Sequence, residues 1–310
     1  MHSARTFLNN IGNGQALLKI DFSNAFNTLS RNEMLSVIQN ELPELYPSIS
    51  SCYSGSSFLR FGRYTLLSDE GPQQGDPLGP LLFCVTVMQL VKRIKSQFNI
   101  WYMDDGTIGG EVETLVADFK MLLEEGSKLG LAINASKCEI ITDDADVVQK
   151  VKAIAPAIRH ISTASAMLLG APIGSDQCVD EVLEAKLQEL RRLADRVSLL
   201  NAHDALFLLK NCFSIPKLSY TLRTSPCYTH QLLAEYDAII QSTLESIMNV
   251  TLSGDAWEQS TLPVANGGIG VRRATDVALP AYLSSVTGSH ALVIQLLPAS
   301  AGPTRSSGYQ

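Results

Sequence analysis

The stretch that decides the fold is residues 100–108, IWYMDDGTI, in which two short apolar runs flank Asp104 and Asp105. A strand, a tight turn and a second strand form a β-hairpin, so this stretch predicts two antiparallel strands with both carboxylates at the tip. Upstream, residues 16–20, ALLKI, are apolar enough for a buried strand that ends at Asp21. Neighbouring strands of one sheet would bring the three carboxylates within a few ångströms of each other.

Three carboxylates at that distance repel one another unless a cation neutralises them. Ligands that are all oxygen suit Mg²⁺. Two such ions, about 3.5–4 Å apart, can hold both the attacking and the leaving oxygens of a phosphoryl transfer. An Asp-Asp-Gly sequence by itself is more often a solvated turn, so the choice between these interpretations depends on the neighbouring motifs.

The remaining pattern predicts an α+β fold with a mainly antiparallel sheet, followed by a helical second half. A capping box at Ser30–Glu33, with Leu29 and Met34 as a hydrophobic staple, begins a helix that ends at Pro43. The other predicted elements are a hairpin within 51–68, a loop at 71–80, helices at 81–94 and from 112 to a stop at Gly130, strands at 131–133 and 139–142, and helices at 179–200, 205–213 and 232–248.

Composition excludes several classes of protein. The chain has 310 residues, a formal net charge of −7 and 45% apolar residues, which argues against a surface that is basic throughout and against a disordered chain. The six cysteines form no C-x-x-C pair, and the N-terminus lacks the apolar segment of a signal peptide. We therefore expect an intracellular protein, nuclear or cytoplasmic and not secreted. The longest apolar run, 78–91, is too short for a bilayer, so no membrane partner is expected.

The charge is unevenly distributed along the chain. Residues 1–150 carry 12 basic and 18 acidic side chains, whereas residues 151–310 carry 12 and 13. Within 186–223 the basic side chains outnumber the acidic ones by seven to three. Lys186, Arg191, Arg192 and Arg196 lie on the polar face of the helix predicted at 179–200. This stripe fits a surface for nucleic-acid phosphates, although any exposed helix has a charged face.

Three motifs, in this order, resemble motifs A, B and C of reverse transcriptases: 21–26 (DFSNAF), 71–83 (GPQQGDPLGPLLF) and 102–105 (YMDD). Residues 130–134 (GLAIN) with Lys137 are similar to motif D, and 168–170 (LLG) to motif E. The segment 262–272 is similar to one that follows the thumb in many non-LTR retroelement polymerases. The resemblance is therefore to reverse transcriptases of the non-LTR retrotransposon type, and it implies a polymerase palm with an antiparallel sheet and packed helices, followed by a helical thumb.

The resemblance also implies roles at the catalytic centre. Asp21 and Asp104 would bind two Mg²⁺ ions, for which Mn²⁺ can substitute, with Asp105 in support and the carbonyl oxygen of Phe22 as a further ligand. Lys137 matches the lysine proposed to protonate the leaving pyrophosphate. A solvated surface lysine is an equally simple interpretation of that residue.

The remaining implied roles concern the nucleotide and the two nucleic-acid strands. Phe26 stands where these enzymes place an aromatic gate against the 2′-hydroxyl group, which favours dNTP over rNTP, although a core aromatic would also fit there. Gln74 and Gly75 would hold the incoming nucleotide, because glycine permits a close backbone approach. The primer and template would contact Tyr102, Met103, Leu169, Gly170, Arg191 and Arg192.

These assignments predict five regions. Residues 1–20 would be a remnant of the fingers, 21–175 the palm with motifs A to E, 176–230 the helical thumb, 231–297 a helical C-terminal extension and 298–310 a disordered tail. The expected partners are an RNA template, a DNA primer, dNTP and a separate fingers or endonuclease segment of the same element.

Two functions from different classes fit the sequence. The first is an RNA-directed DNA polymerase that transfers a nucleotide from dNTP to a primer 3′-OH. The alternative is a catalytically inactive retroelement remnant that acts as a nucleic-acid or protein-binding module. An RNA-templated RNA polymerase is disfavoured by Phe26 and by Tyr102-Met103 before the aspartates. A nuclease is disfavoured because no candidate histidine lies near these motifs.

Overall fold

A computed structural model gives the fold of the protein and describes residues 1–297. The chain divides into two compact units, each of which is described by itself. The sheet unit consists mainly of Asn10–Ser162, and the helical unit of Met1–Asn9 and Thr163–Gln295. The predicted disordered tail, 298–310, lies outside the described residues, and the division into fingers, palm, thumb and extension stays a prediction.

Within residues 1–297 the strands are β1 (Gln15–Ile20), β2 (Ser57–Phe61), β3 (Tyr64–Ser68), β4 (Phe98–Tyr102), β5 (Asp105–Glu111), β6 (Glu139–Ile141), β7 (Arg159–Ile161), β8 (Met167–Leu168) and β9 (Ala171–Pro172). The α-helices are α1 (His2–Asn9), α2 (Ala25–Thr28), α3 (Arg31–Glu41), α4 (Tyr46–Tyr53), α5 (Gly79–Val91), α6 (Val112–Lys128), α7 (Ala145–Lys152), α8 (Asp176–Val197), α9 (Ala202–Leu208), α10 (Ile215–Thr224), α11 (Gln231–Met248), α12 (Gly254–Thr261) and α13 (Ala274–Leu296). Short 3₁₀ turns occur at Thr163–Ser165 and Val264–Asn266, and a π-helical turn at Leu209–Phe213.

The sheet unit is built on a five-stranded sheet with the order β4-β5-β1-β6-β7. Strand β1 pairs antiparallel with β5 and with β6, β4 pairs antiparallel with β5, and β6 pairs parallel with β7. The predicted α+β class and mainly antiparallel sheet are therefore confirmed. Because β1 is central, its apolar run is covered on both faces, and Leu17 and Leu18 are fully buried.

Helices α3 and α6 begin where the sequence predicts, whereas the helix predicted at 81–94 is α5, which spans Gly79–Val91. The hydroxyl oxygen of Ser30 accepts a hydrogen bond from the Glu33 amide at 3.4 Å, and the staple residues Leu29 and Met34 are both fully buried. Helix α6 packs Leu115 and Phe119 into the same core as β1. A cap and an apolar face thus fix these helices onto the sheet.

Two predictions in the sheet unit need correction. The hairpin of β2 and β3 turns at Gly62-Arg63 as predicted, but residues 46–53 preceding it form α4. Residues 131–133 are not a strand, because their only sheet-type contact is an isolated bridge between Phe22 and Ile133. The chain turns immediately afterwards, where the Asn134 carbonyl accepts the amides of residues 137 and 138 at 2.9 and 3.1 Å, so no ladder can extend.

The long helix predicted at 179–200 is confirmed in the helical unit, but it ends earlier than predicted. Helix α8 buries Leu183, Leu187 and Leu190, but it ends at Val197, so the predicted extension to residue 200 was wrong. The helix predicted at 205–213 is α9 followed by the π-helical turn. Pro216 does not end the helical region. It lies in the first turn of α10, where proline's missing amide costs no hydrogen bond.

Helix α13 is the one element of the described chain that is long and apolar enough to cross a membrane, by length and composition alone. Almost none of its most apolar segment is buried within the protein. A single helix of this kind is weak evidence for a membrane span. The expectation of no membrane partner therefore stays a prediction, and α13 is the feature that bears on it.

Candidate active site

The register of the sheet brings the three predicted carboxylates to one end of neighbouring strands. Ile20 pairs with Gly106 across β1 and β5, so Asp21 leaves β1 opposite the first residue of β5, Asp105. Tyr102 pairs with Asp105 across β4 and β5, which leaves Met103 and Asp104 as a two-residue turn. The prediction that the hairpin and β1 are neighbours in one sheet is confirmed.

The tip of this hairpin is tight. Met103 has a φ of 57°, a left-handed conformation that side chains other than glycine adopt at a cost. A methyl group added to Gly106 would lie 2.5 Å from the indole of Trp101. The glycine of Asp-Asp-Gly is therefore required by packing against Trp101, and the strained turn projects the side chains of Tyr102 and Met103 outward, where both are exposed.

The carboxylates carry an unbalanced negative charge. Burial raises the pKa of Asp105 above its ordinary value, and the neighbouring charges of Asp104 and Asp21 raise it further, while Lys19 opposes the shift. The Oδ1 atom of Asp21 is buried and has no hydrogen-bond partner among the described residues. A buried acceptor without a donor costs about 1–3 kcal/mol unless another group satisfies it.

These observations fit a hard divalent cation at Asp21. Carboxylate and carbonyl oxygens are the ligands that Mg²⁺ prefers, and a cation would compensate both the Asp21 oxygen and the mutual repulsion. The described residues contain no group of three or more His, Cys, Asp or Glu side chains already arranged to hold a metal ion. The chain therefore shows a suitable donor set rather than a closed metal site.

Motif A (residues 21–26) is fixed by its contacts with motif D (residues 130–134). The Ser23 amide donates to the Ala132 carbonyl, and the Asn134 amide donates to the Asp21 carbonyl, both at 2.8 Å. The Phe22 carbonyl accepts neither of these hydrogen bonds, so it is left available as the predicted ligand. The Phe22 ring is buried and stacks on Trp101 of the hairpin, with centroids 6.0 Å apart.

A buried thiol lies directly beside Asp21. The Sγ atom of Cys138 is 3.4 Å from the Asp21 amide, which donates to it. Burial raises the pKa of Cys138 to about 11, so the thiol is neutral and acts as packing and as a weak acceptor. Lys137, the neighbouring residue, is exposed and forms no ion pair within the described chain.

Phe26 lies on α2 beneath motif B (residues 71–83). Its ring stacks on Phe83 of α5, with centroids 4.3 Å apart and an interplanar angle of 12°, and it is half-buried. The packing fixes the ring, and the part that is not buried remains available to meet a ligand. Both earlier interpretations, a core aromatic and a gate, are compatible with this position.

The loop of motif B borders an open cavity of about 720 Å³. Gln74 lines it and donates its amide to the side-chain oxygen of Asn27 at 3.2 Å. Gly75 is exposed, with a φ of 92° and open space around it. The loop therefore meets α2, the helix that contains Asn27, at a cavity that can admit a small polar ligand.

The other predicted site residues belong to the helical unit. Leu169 and Gly170 form the turn between β8 and β9, with φ values of 46° and 76°, and the Leu169 carbonyl accepts the Tyr220 hydroxyl at 2.7 Å. On α8, Arg191 lies 3.6 Å from Glu235, whereas Arg192 is exposed and forms no ion pair among the described residues. Lys186 and Lys217 both pair with Glu189, so the basic stripe is partly neutralised.

Sequence reasoning missed the buried residues that hold motif B. Arg31 is only 6% exposed and donates to the carbonyls of Ser68 and Gly71. Tyr53 hydrogen-bonds Asp76 at the other end of the loop. The position of Arg31, directly after the helix cap and next to motif A, was the available signal, but a charged residue in a first helical turn is ordinarily solvated.

The sheet and the grouping of its carboxylates fit the class of nucleic-acid polymerases. A model of the family described as reverse transcriptase (RNA-dependent DNA polymerase) matches residues 1–177, more than half of the chain. The chain therefore belongs to the reverse transcriptase family, and the resemblance predicted from the motifs is confirmed.

The chain is also similar to the Retrotransposable element SLACS 132 kDa protein of Trypanosoma brucei gambiense, with 24% identity over 276 residues. That match covers 85% of this chain and 23% of the relative, so the chain spans about a quarter of the relative's length. The chain is thereby related, at low identity, to a protein of a retrotransposable element.

Two solved telomerase structures are similar to the chain. Apo telomerase from Candida tropicalis has a TM-score of 0.45 and 13% identity, covering 95% of this chain and 55% of that one. Telomerase from Candida albicans with a fragment of telomeric RNA has a TM-score of 0.42 and 11% identity, covering 95% and 51%. Both TM-scores lie below 0.5, so neither structure adds to the family assignment.

Proposed function

We propose that this chain is the polymerase core of an RNA-directed DNA polymerase, which extends a DNA primer on an RNA template. The observation that carries the proposal is the position of Asp21 opposite Asp105 at the end of β1, with a buried Asp21 oxygen that lacks a donor. A site that presents grouped carboxylates with an unsatisfied buried oxygen suits two-metal nucleotidyl transfer from a triphosphate.

In the proposed reaction the primer 3′-oxygen forms a bond to the α-phosphorus of dNTP. The bond from that phosphorus to the β-phosphate oxygen breaks, and pyrophosphate leaves. The carboxylates of Asp21, Asp104 and Asp105, with the Phe22 carbonyl, would hold two Mg²⁺ ions, or Mn²⁺. These ions would activate the 3′-hydroxyl and neutralise the phosphates. Lys137 would donate a proton to the leaving pyrophosphate, which its exposed position permits.

The other residues would position the substrates. Phe26, held by its stack on Phe83, would exclude a 2′-hydroxyl, while Gln74 and Gly75 would contact the incoming nucleotide at the cavity. In the helical unit the turn at Leu169 and Gly170 would contact the primer. Arg191 and Arg192, exposed on α8, would contact strand phosphates.

An intracellular location, nuclear or cytoplasmic, is part of the same proposal. All six cysteines are free, which is the state expected in a reducing compartment. The proposal includes no membrane partner.

Primer extension tests this function. The purified chain is given poly(rA) with an oligo(dT) primer, dTTP and Mg²⁺ or Mn²⁺, and is compared with Asp104→Ala and with Glu124→Gln. Glu124 is an exposed acid of the same unit on α6 that forms no ion pair within the part of the chain that the structure describes, so its variant controls for loss of one negative charge. We expect extension by the wild type and by E124Q but not by D104A. Extension absent from the wild type, or equal in D104A, would support the binding-module alternative.

A further inference from the structure

Arg31 is a buried cation whose hydrogen bonds all go to the segment that enters motif B. Its Nε donates to the Gly71 carbonyl at 2.9 Å, its Nη1 to the Ser68 carbonyl at 2.6 Å and its Nη2 to the Ser68 hydroxyl at 3.0 Å. It forms no ion pair among the described residues. Burying a guanidinium group is costly unless its donors are satisfied, and all three of these hydrogen bonds go to Ser68 and Gly71, which indicates that Arg31 fixes the geometry of this segment.

The same arginine reaches the far end of the loop through Tyr53. The guanidinium carbon lies 5.3 Å from the centre of the Tyr53 ring, a cation–π arrangement. The Tyr53 hydroxyl donates to the Asp76 carboxylate and accepts from the Gln73 amide at 3.1 Å. Arg31, Tyr53 and Asp76 therefore form a network, the loop clamp, that holds residues before and after Gln74.

Gly71, whose carbonyl Arg31 holds, also fixes the start of the loop against the backbone of α2 and the residue after it. The Gly71 amide donates to the Leu29 carbonyl at 2.7 Å. A methyl group on Gly71 would lie 2.0 Å from the Phe26 carbonyl, so the loop begins in direct contact with α2. Arg31 holds the carbonyl of Gly71, the residue that packs against the Phe26 backbone at the start of the loop that carries Gln74.

We propose that Arg31 is a positioning residue that sets the width of the nucleotide site between Phe26 and the Gln74-Gly75 loop, and so its affinity for dNTP and its discrimination against rNTP. This inference rests on the function proposed above. Arg31 itself does not touch the nucleotide; it acts through the loop backbone. Lysine at this position would keep the charge but could not reproduce the planar set of hydrogen bonds that the guanidinium group donates to Ser68 and Gly71 together.

The test compares Arg31→Ala, Arg31→Lys and Tyr53→Phe with Arg93→Ala, a matched control that removes a surface ion pair with Glu125. Primer extension gives KM and kcat for dTTP and the ratio of dTTP to UTP incorporation. Hydrogen exchange measures the loop amides 71–78 against those of β1 and β5. For R31A we expect a rise of about tenfold or more in KM, kcat within about threefold, a smaller dTTP-to-UTP ratio and faster exchange confined to the loop.

We expect R31K and Y53F to show intermediate values of KM, and R93A to match the wild type. An unchanged KM in R31A, or exchange that rises in β1 and β5 as much as in the loop, would overturn the inference and leave Arg31 a merely structural role. If the wild type shows no extension, the proposed function fails, and the exchange measurement still decides whether Arg31 holds the loop.

Discussion

The Asn134 amide donates a hydrogen bond of 2.8 Å to the Asp21 carbonyl, and this contact ties the end of β1 to the turn that carries Lys137. The carbonyl of the same asparagine accepts the Lys137 amide at 2.9 Å. A candidate catalytic carboxylate and a candidate proton donor are therefore connected through one residue. Their relative position is set by backbone hydrogen bonds, which do not depend on the side chains that would do the chemistry.

Replacement of Lys137 by alanine is expected to lower kcat for primer extension by about 10²-fold or more, because positioned proton transfer contributes about 10²–10⁴-fold. The KM for dTTP should change little, and stability should not change, since the side chain is exposed and forms no ion pair with any residue of 1–297. Lys120→Ala, an exposed lysine on α6, is the matched control. An equal effect in both variants would show that Lys137 contributes only surface charge.

Replacement of Phe26 by alanine separates a gate from a core aromatic. We expect lower stability, because the stack on Phe83 is lost, and in addition at least about tenfold more UTP incorporation relative to dTTP. Phe83→Leu is the control, since it weakens the same stack from the other side. If both variants lose stability and neither changes the dTTP-to-UTP ratio, Phe26 is a core residue only.

The sequence was sufficient to predict the elements that position the site. The central strand and the Asp-Asp hairpin have distinct period and turn signals, and their pairing follows from the shared carboxylate chemistry. Helices α4 and α10 were not predicted from the sequence; each has a proline in its first turn, Pro47 and Pro216, a position where proline is compatible with a helix. The role of Arg31 could not be predicted, because its burial depends on contacts with residues about 40 positions away.

The buried carboxylate of Asp118 on α6 connects this helix to Lys95 and Ser96 in the sheet unit. It is 4% exposed, and its carboxylate accepts hydrogen bonds from the amides of Lys95 and Ser96 and from the Ser96 hydroxyl at 2.5 Å. Asp118→Ala should lower the free energy of unfolding by about 2–3 kcal/mol, because it leaves buried donors without an acceptor. Urea denaturation measures this, with Glu124→Gln as the control. A loss below about 0.5 kcal/mol in D118A would contradict it.

The turn at Leu169 predicts a trade-off between stability and function. Both central residues have positive φ, which suits Asn-Gly better than Leu-Gly. Leu169→Asn should therefore stabilise the helical unit by about 0.5–1 kcal/mol, whereas Leu169→Val should destabilise it. If Leu169 contacts the primer, L169N should also extend primers less well despite its greater stability. Stability that falls in L169N would contradict the turn assignment.

His2 gives the helical unit a pH-dependent stability. Burial, with Arg5 nearby, lowers the pKa of His2 from 6.5 to about 4, and its ring lies 3.0 Å from the Ser285 hydroxyl of α13. The unfolded chain takes up this proton first, so the contribution is present above pH 6.5 and is lost as the pH falls toward 4. We expect a loss of about 1–2 kcal/mol, allowing for partial exposure of the ring. The difference between wild type and His2→Gln should follow this window; a difference that does not vary with pH would contradict it.

We propose above that the carboxylates at the ends of β1 and the hairpin catalyse the addition of nucleotides to a primer. The most direct measurement is single-nucleotide addition of dTTP to oligo(dT) on poly(rA) by the wild type and by Asp21→Asn, with Mn²⁺ binding followed in the same samples. We predict that D21N stays folded, binds Mn²⁺ more weakly and adds nucleotide at least about 10³-fold more slowly. Addition by D21N at the wild-type rate would contradict the account.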